Sequence, residues 1–364
     1  MNTVVAAERF PAGEFLADEL DERRWSQADF AEVLGRPAQF VSEIISGKKE
    51  ITRESAAQIG TALGTSAEFW LNLQDSYFLW KQSQDAQTQH NLDEVRIRAQ
   101  IRDLAPISHL VKRGFVRSKD PTDQAKEVLN LFGKSSFEDP SPTKFVARRS
   151  NNEESITVLQ ESWAACVRAS AERLEVSTYS PKALRELAET LSARTKDPNA
   201  FAEFQKVFAE VGVKLVYVES FPGGKLDGCA QLVNGHPTIG LSGRGKRLDK
   251  VFFTLLHEVA HVLLGHVSDD SEVILDDLSS ESDSIEDEAD RLAAQLAISD
   301  PLQDVPERIS ADWVEAKSED LAIHPILLIG RLQKESRLSW KSTLTRNAPT
   351  VIKQLEEWKA PRPQ

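Results

Sequence analysis

At 364 residues, 40% of them hydrophobic, the chain is long enough to bury two or three separate cores. Forty-four Lys and Arg against 57 Asp and Glu leave a formal net charge of −13, which excludes a general nucleic-acid binder and confines any DNA contact to a local patch. There is no basic-plus-apolar leader and no apolar run near the ~18 residues of a membrane span; two cysteines without a CxxC pattern, Cys166 and Cys229, fit a reducing compartment, so a cytoplasmic protein with no membrane partner is expected.

From Arg9 to Lys81 the pattern predicts five short helices. Gly13–Arg24 carries Phe15, Leu16 and Leu20. Ser26, with Asp29 three residues on, starts the next helix in a capping-box arrangement, and Gly35 stops it. Pro37 opens a third helix with Phe40, Val41, Ile44 and Ile45 inside, closing at Gly47. Thr52 opens a fourth, ending near Gly64, and Thr65-x-x-Glu68 reads as a second capping box ahead of Phe69, Trp70 and Leu71.

The second and third helices, joined at a glycine, form a helix-turn-helix pattern, although an ordinary helical bundle has the same periodicity. The runs EFLADEL, SQADFAEVLG, SEIISGKKEIT and TSAEFWLNLQDSYFLW resemble the XRE class of regulators and, within it, the HigA-type antitoxins. That resemblance implies operator DNA as a partner, a homodimer, and a toxin as a further partner. It places Gln27, Ala38, Gln39, Ser42 and Glu43 where such proteins meet phosphates or base edges, and Lys48 and Lys49 where they grip the backbone. One departure bears on this. Residues 1–85 hold 8 Lys/Arg against 14 Asp/Glu, a net of −6, and the recognition helix has no arginine. Dimerisation or partner binding is therefore the alternative use of the domain.

Between Gln82 and Ala209 the signals are helical. Asp120-Pro121, Ser180-Pro181 and Asp197-Pro198 each pair an N-cap residue with proline at the first helical position. They predict helices over Pro121–Phe132, Pro181–Ala193 and Pro198–Glu210. Trp163, Val167, Ala171 and Leu174 mark the apolar face of another. Lys134–Glu154, rich in Pro, Ser, Asn and charge, reads as an exposed loop.

Strands are expected at Val213–Val218, Gly228–Val233 and Thr238–Ser242, the last two joined by the turn Asn234-Gly235. An edge strand over Thr238–Leu241 near the site would suit pairing with a peptide backbone. The run that follows, Val251–His266 (VFFTLLHEVAHVLLGH), is apolar nearly all round and holds His257, Glu258 and His261 as H-E-x-x-H. Residues four apart on a helix project side by side, so the two imidazoles form half of a tetrahedral zinc site, with Glu258 placed as a general base. Burying these groups would cost several kcal/mol unless something binds them. A second helix, Ile285–Ser299, offers a third ligand. Glu286 and Glu288 both flank its apolar face, and periodicity does not choose between them. Ser268–Asp290, with 11 Asp/Glu and no Lys/Arg, reads as a solvated loop bridging the two.

HEVAHVLLGH followed by EADRLAAQL resembles the ImmA/IrrE metallopeptidase family. The resemblance implies one zinc ion per chain held by His257, His261 and Glu288, with His266 supporting the ligands. AIHPILLIGRLQKE, residues 322–335, is similar to a run that follows the peptidase helices in fused regulators of this kind. His324, or else Tyr217 or Arg331, is then a candidate to stabilise an oxyanion. The implied function is a regulator whose zinc endopeptidase cleaves a helix-turn-helix repressor, or its own chain, to relieve repression under stress, DNA damage or phage attack. Two alternatives stay open: an antitoxin or transcription factor whose peptidase domain is non-catalytic, and an iron oxygenase built on the same two-His-one-carboxylate triad. The expected fold class is α+β and mostly helical. Residues 1–85 form the helix-turn-helix domain, 86–205 a helical joining region, and 206–364 a small sheet with the H-E-x-x-H helices.

Overall fold

The computed structural model describes residues 9–147, 156–276, 284–299, 302 and 305–358. It is mostly helical with one five-stranded mixed sheet, an α+β fold. Contacts divide it into two compact units, Met1–Arg96 and Ile97–Gln364.

The first unit is built from α1 (Ala12–Arg23), α2 (Gln27–Leu34), α3 (Ala38–Ile45), α4 (Arg53–Leu63) and α5 (Ala67–Gln84). Its helix ends are set by the residues that sequence singles out. Ser26 accepts the Asp29 N–H and the Asp29 carboxylate accepts the Ser26 N–H, while Gly35 closes the helix with φ +63°. Thr52 caps α4 and Gly64 ends it. The fifth cap differs from expectation. Ser66, not Thr65, accepts from the Phe69 N–H, because the Thr65 hydroxyl is taken by the indole N–H of buried Trp70 at 2.8 Å. Leu16, Leu20, Phe30, Val41, Ile59 and Trp70 are core residues of this unit.

Helix α6 (Ala86–Leu104) follows after Asp85, so Gln82–Asn91 is helical on either side of one break. Then come α7 (Ile107–Arg113), α8 (Pro121–Phe132), β1 (Lys144–Ala147), α9 (Val158–Ala171), α10 (Pro181–Arg194), a 3-10 turn over Pro198–Glu203 and α11 (Phe204–Glu210). The site-bearing half holds β2 (Lys214–Tyr217), β3 (Gly228–Val233), β4 (His236–Leu241), α12 (Leu248–Leu263), β5 (Glu272–Asp276) and α13 (Ser284–Ala297). It closes with α14 (Ala311–Asp320), α15 (Pro325–Lys334) and α16 (Ile352–Glu356).

The sheet runs β1-β5-β3-β4-β2. Successive residues alternate between its faces. Leu215, Ile239 and Leu241 join the core that contains α10 and α12, whereas Val216, Cys229, Val273 and Leu275 join the core that contains α8 and α9. From Ile97 on, helices of the stretch expected to be a joining region pack on both faces of the sheet, α8 and α9 on one and α10 on the other, and the Trp163 indole of α9 donates to Val218 O at 2.7 Å. Two further expectations are corrected. Part of the Lys134–Glu154 loop is strand β1, parallel to β5 with Lys144 opposite Glu272; residues 148–154 lie outside the described residues. β4 is not an edge strand, since β3 and β2 pair with it on either side. The edges are β1 and β2.

Candidate metal centre and nucleic-acid interface

Helix α12 is capped by no side chain and is held instead by what it buries. Phe252, Leu255, Leu256 and Val259 are core residues, and His257, Glu258 and His261 are buried among them at 1%, 0% and 0% exposure. α13 packs along α12. Its buried stripe is Ala289, Ala293 and Leu296, and Glu286, three residues before Ala289, continues that stripe toward the histidines.

Three donor atoms meet there. The Nε2 atoms of His257 and His261 are 2.9 Å apart, and Glu286 places Oε2 2.9 Å from His257 Nε2 and Oε1 3.6 Å from His261 Nε2. Among the described residues these three are the group able to hold a metal ion. Tetrahedral ligands at ~2.0–2.1 Å from zinc stand roughly 3.3 Å from each other, so the donor set fits such an ion with shifts of a few tenths of an ångström.

The outer partners fix which ring nitrogens carry lone pairs. His257 Nδ1 lies 3.0 Å from Asp290 Oδ1, and Lys334 Nζ donates to Asp290 Oδ2 at 2.9 Å. Although burial would raise the Asp290 pKa, these two contacts hold it below the usual carboxylate range. An ionised carboxylate only accepts, so Nδ1 of His257 bears the proton and Nε2 faces inward with its lone pair. On the other side His261 Nδ1 meets His266 Nδ1 at 2.9 Å, and His266 Nε2 faces Glu288 at 3.7 Å. A proton on His261 Nδ1, donated to His266, would leave the His261 Nε2 facing inward with its lone pair, the tautomer a metal ligand needs. Two lone pairs and a carboxylate aimed at one point are a donor set that could hold a cation. Burial lowers the His261 pKa and keeps it neutral, as a ligand must be. Burial works against ionised Glu286, and the charge of the two histidines, wherever they carry a proton, works the other way and lowers that carboxyl below its usual range.

The assignment of Glu288 as third ligand is therefore corrected. Glu286, 14% exposed, converges with the histidines; Glu288, 54% exposed, stands behind His266. His266 lies against His261, their Nδ1 atoms 2.9 Å apart. Asp290 and Lys334 were not singled out from sequence. The available signal was spacing: a carboxylate four residues after Glu286 lies one turn on, where it can orient a ligand histidine.

Glu258 lies against the start of β3. A Cβ on Gly228 would run into Glu258 Oε1 and come within 2.8 Å of Thr254 Cγ2. Gly228 has an ordinary backbone, so the requirement is for space alone. Gly228→Ala is expected to displace the Glu258 carboxylate and cost about 1–3 kcal/mol of stability, with metal binding intact; a thermal melt beside metal analysis checks this.

His324 does not belong to this centre. It caps α15, its Nδ1 accepting from the Ile326 N–H at 3.1 Å. Its charged neighbour is Asp249, eight residues before His257 and so roughly 12 Å away along α12. Arg331 is engaged by Glu335 and by Ala294 O. Tyr217 sits on the edge strand β2, beyond β4 from Gly228.

In the first unit, Gln27, Ala38, Gln39, Ser42, Lys48 and Lys49 are exposed and Glu43 is half-buried. α3 and the turn after it form one network. Gln39 Nε2 donates to Glu43 Oε1 at 2.7 Å, Lys49 Nζ lies 3.6 Å from Glu43 Oε2, and Lys49 and Arg36 both lie over the Phe40 ring. The model of the family described as helix-turn-helix, HTH_3, matches residues 16–70, from within α1 into α5. An HTH-type transcriptional regulator of Haemophilus influenzae is 32% identical over 85 residues, which is 23% of this chain and 79% of that protein. The chain belongs to the helix-turn-helix family.

The helix-turn-helix region is also 29% identical over 86 residues to the HTH-type transcriptional regulator YddM of Escherichia coli, covering 24% of this chain and 85% of YddM. Among solved structures, an antidote protein of a plasmid maintenance system from Nostoc punctiforme is 36% identical, with 24% of this chain and 94% of that one covered and a TM-score of 0.22. An addiction module antidote protein of the HigA family from Coxiella burnetii is 37% identical, with 20% and 79% covered and a TM-score of 0.19. Each of these likenesses spans less than a quarter of the chain. Among the described residues, no helix is long and apolar enough to cross a membrane.

Proposed function

We propose that this DNA-binding regulator carries in its second unit a zinc-dependent endopeptidase that cuts a helix-turn-helix repressor, or the chain itself, and so relieves repression. The observation that carries the reading is the convergence of His257, His261 and Glu286 beside the fully buried carboxylate of Glu258. Zinc held there supplies a Lewis acid that polarises the scissile carbonyl and makes a water more acidic. Glu258 takes the proton of the attacking water and returns it to the leaving amide nitrogen. Asp290 and His266 hold the two imidazoles in the tautomer that presents Nε2. A glutamate directly after the first histidine favours hydrolysis over the oxygenase alternative, which has no use for a base at that position.

In the first unit, α3 lies in the major groove and Lys48 and Lys49 meet phosphates, with a homodimer spanning two half-sites. The network Gln39–Glu43–Lys49 opens on binding, so that Gln39 is free to read a base edge. Lys48→Ala with Lys49→Ala is expected to weaken binding to every sequence and to flatten the log–log salt dependence by about 2. Gln39→Ala instead changes which operator is preferred. Retention of the wild-type salt slope in the double variant, measured by fluorescence anisotropy, would contradict this placement. A cytoplasmic location and a toxin partner accompany the reading.

The reading is tested by incubating the purified chain with zinc and searching for fragments by mass spectrometry, with Glu258→Gln alongside and an XRE-class repressor added as a second substrate. Fragments from the wild type alone are expected. Fragments of equal yield from Glu258→Gln, or none from either protein under inducing cell extract, favour a non-catalytic regulator.

A further inference from the structure

A cavity of about 260 Å³ opens where α12, α13 and α15 meet. Phe252, Phe253 and Leu327 give it an apolar interior, and Trp340, 58% exposed, stands at its mouth. Three cations line it: Lys250, Arg331, whose guanidinium Glu335 engages, and Lys334, whose ammonium Asp290 engages. Lys250 Nζ lies 4.4 Å from the centre of the Trp340 ring, and Lys334 Nζ lies 3.9 Å from that of Phe253. One acidic residue lines the cavity, Asp249, and Arg247 engages both of its carboxylate oxygens. An apolar interior under a cationic rim selects a ligand with an apolar body and a negative head. The volume falls just below the ~300–1,000 Å³ of sites for drug-sized ligands, so the occupant is small.

The position of Lys334 gives the cavity a second property. Its ammonium donates to Asp290 Oδ2 at 2.9 Å, and Asp290 Oδ1 is 3.0 Å from His257 Nδ1. The cavity therefore sits on the outer side of His257, away from the Nε2 face that meets Glu286. A ligand that binds there touches the support of the metal centre.

We propose that this cavity binds a small amphipathic monoanion, a medium-chain or aromatic carboxylate, with its carboxylate on Lys334 and its body between Phe253 and Trp340. Sharing the ammonium with a second carboxylate loosens its hold on Asp290, and through Asp290 on the orientation of His257. The binding site stands on the cavity alone; the coupling rests on the metal reading above. Outer partners of ligand histidines change metal affinity by about 10–100-fold when removed, and by linkage zinc must change the affinity for the anion by the same factor that the anion changes that for zinc.

The probe is octanoate, titrated calorimetrically into the full-length chain without zinc, with 1-octanol as the uncharged counterpart. One site per chain is expected, at least tenfold weaker for 1-octanol and for Lys334→Met. Ala294→Phe, which fills the cavity, is expected to abolish binding, with thermal melts of both variants showing that they remain folded. Absence of saturable octanoate binding, equal binding of 1-octanol, or unchanged binding by Lys334→Met would overturn the site. Repeating the titration of zinc with octanoate present tests the coupling: weaker zinc binding supports it, and unchanged zinc binding overturns it. Because the first titration needs no metal, its failure is distinct from failure of the metal centre.

Discussion

Replacing His257, His261 or Glu286 by alanine is expected to remove stoichiometric zinc from the chain, whereas Glu288→Ala is expected to retain it. His257, His261 and Glu286 are buried or nearly so and converge on one point, while Glu288 faces the outer histidine His266 at 3.7 Å. Zinc bound to the folded state alone also stabilises it, by about 2.7 kcal/mol at a hundredfold excess over the dissociation constant. The wild type and Glu288→Ala should therefore melt higher with zinc than without, and the three ligand variants should show no such shift. Metal analysis after dialysis, paired with melts, reads both. Loss of zinc from Glu288→Ala together with its retention in Glu286→Ala would reverse the ligand assignment.

The second large effect concerns Glu258→Gln. Glutamine keeps the size of the buried side chain and removes its basicity, so zinc and operator binding should be unchanged. Cleavage should fall by about 10²–10⁴-fold, the range that a positioned general base contributes. The consequence in a cell is specific. A recognition helix holds DNA weakly alone, and joining two in a dimer multiplies affinity through effective concentration. Cutting the chain or its partner repressor between the helix-turn-helix and whatever holds the dimer discards that gain. A reporter under the chain's operator should thus be released by DNA damage in wild-type cells and stay silent with Glu258→Gln. Equal release in both would show that peptide cleavage is not the switch.

What was legible in the sequence follows from the range of the interactions involved. Caps are local: Ser26 with Asp29, Asp120 ahead of Pro121 and Asn234-Gly235 all act where the spacing puts them. The H-E-x-x-H pair is local too, since one helical turn brings His257 to His261. The misreadings arise where a distant partner decides. Thr65 fits a cap by spacing, but the Trp70 indole claims its hydroxyl. β1 is four residues long and exists through pairing with β5, far along the chain. The choice between Glu286 and Glu288 depends on which side of α13 meets α12, a packing outcome that the pattern of α13 alone leaves open and that the family resemblance placed two residues late. His324 lies in a run similar to one from fused regulators, yet its imidazole serves α15 as a cap.

The most direct measurement of the metal centre is X-ray absorption at the zinc edge on the full-length chain loaded with one equivalent of zinc. Two imidazoles and a carboxylate are expected to give a first shell of nitrogen and oxygen at ~2.0–2.1 Å with the scattering of two imidazoles, lost in His257→Ala. A shell dominated by sulfur at ~2.3 Å, or a spectrum of hydrated zinc unchanged by His257→Ala, would contradict it.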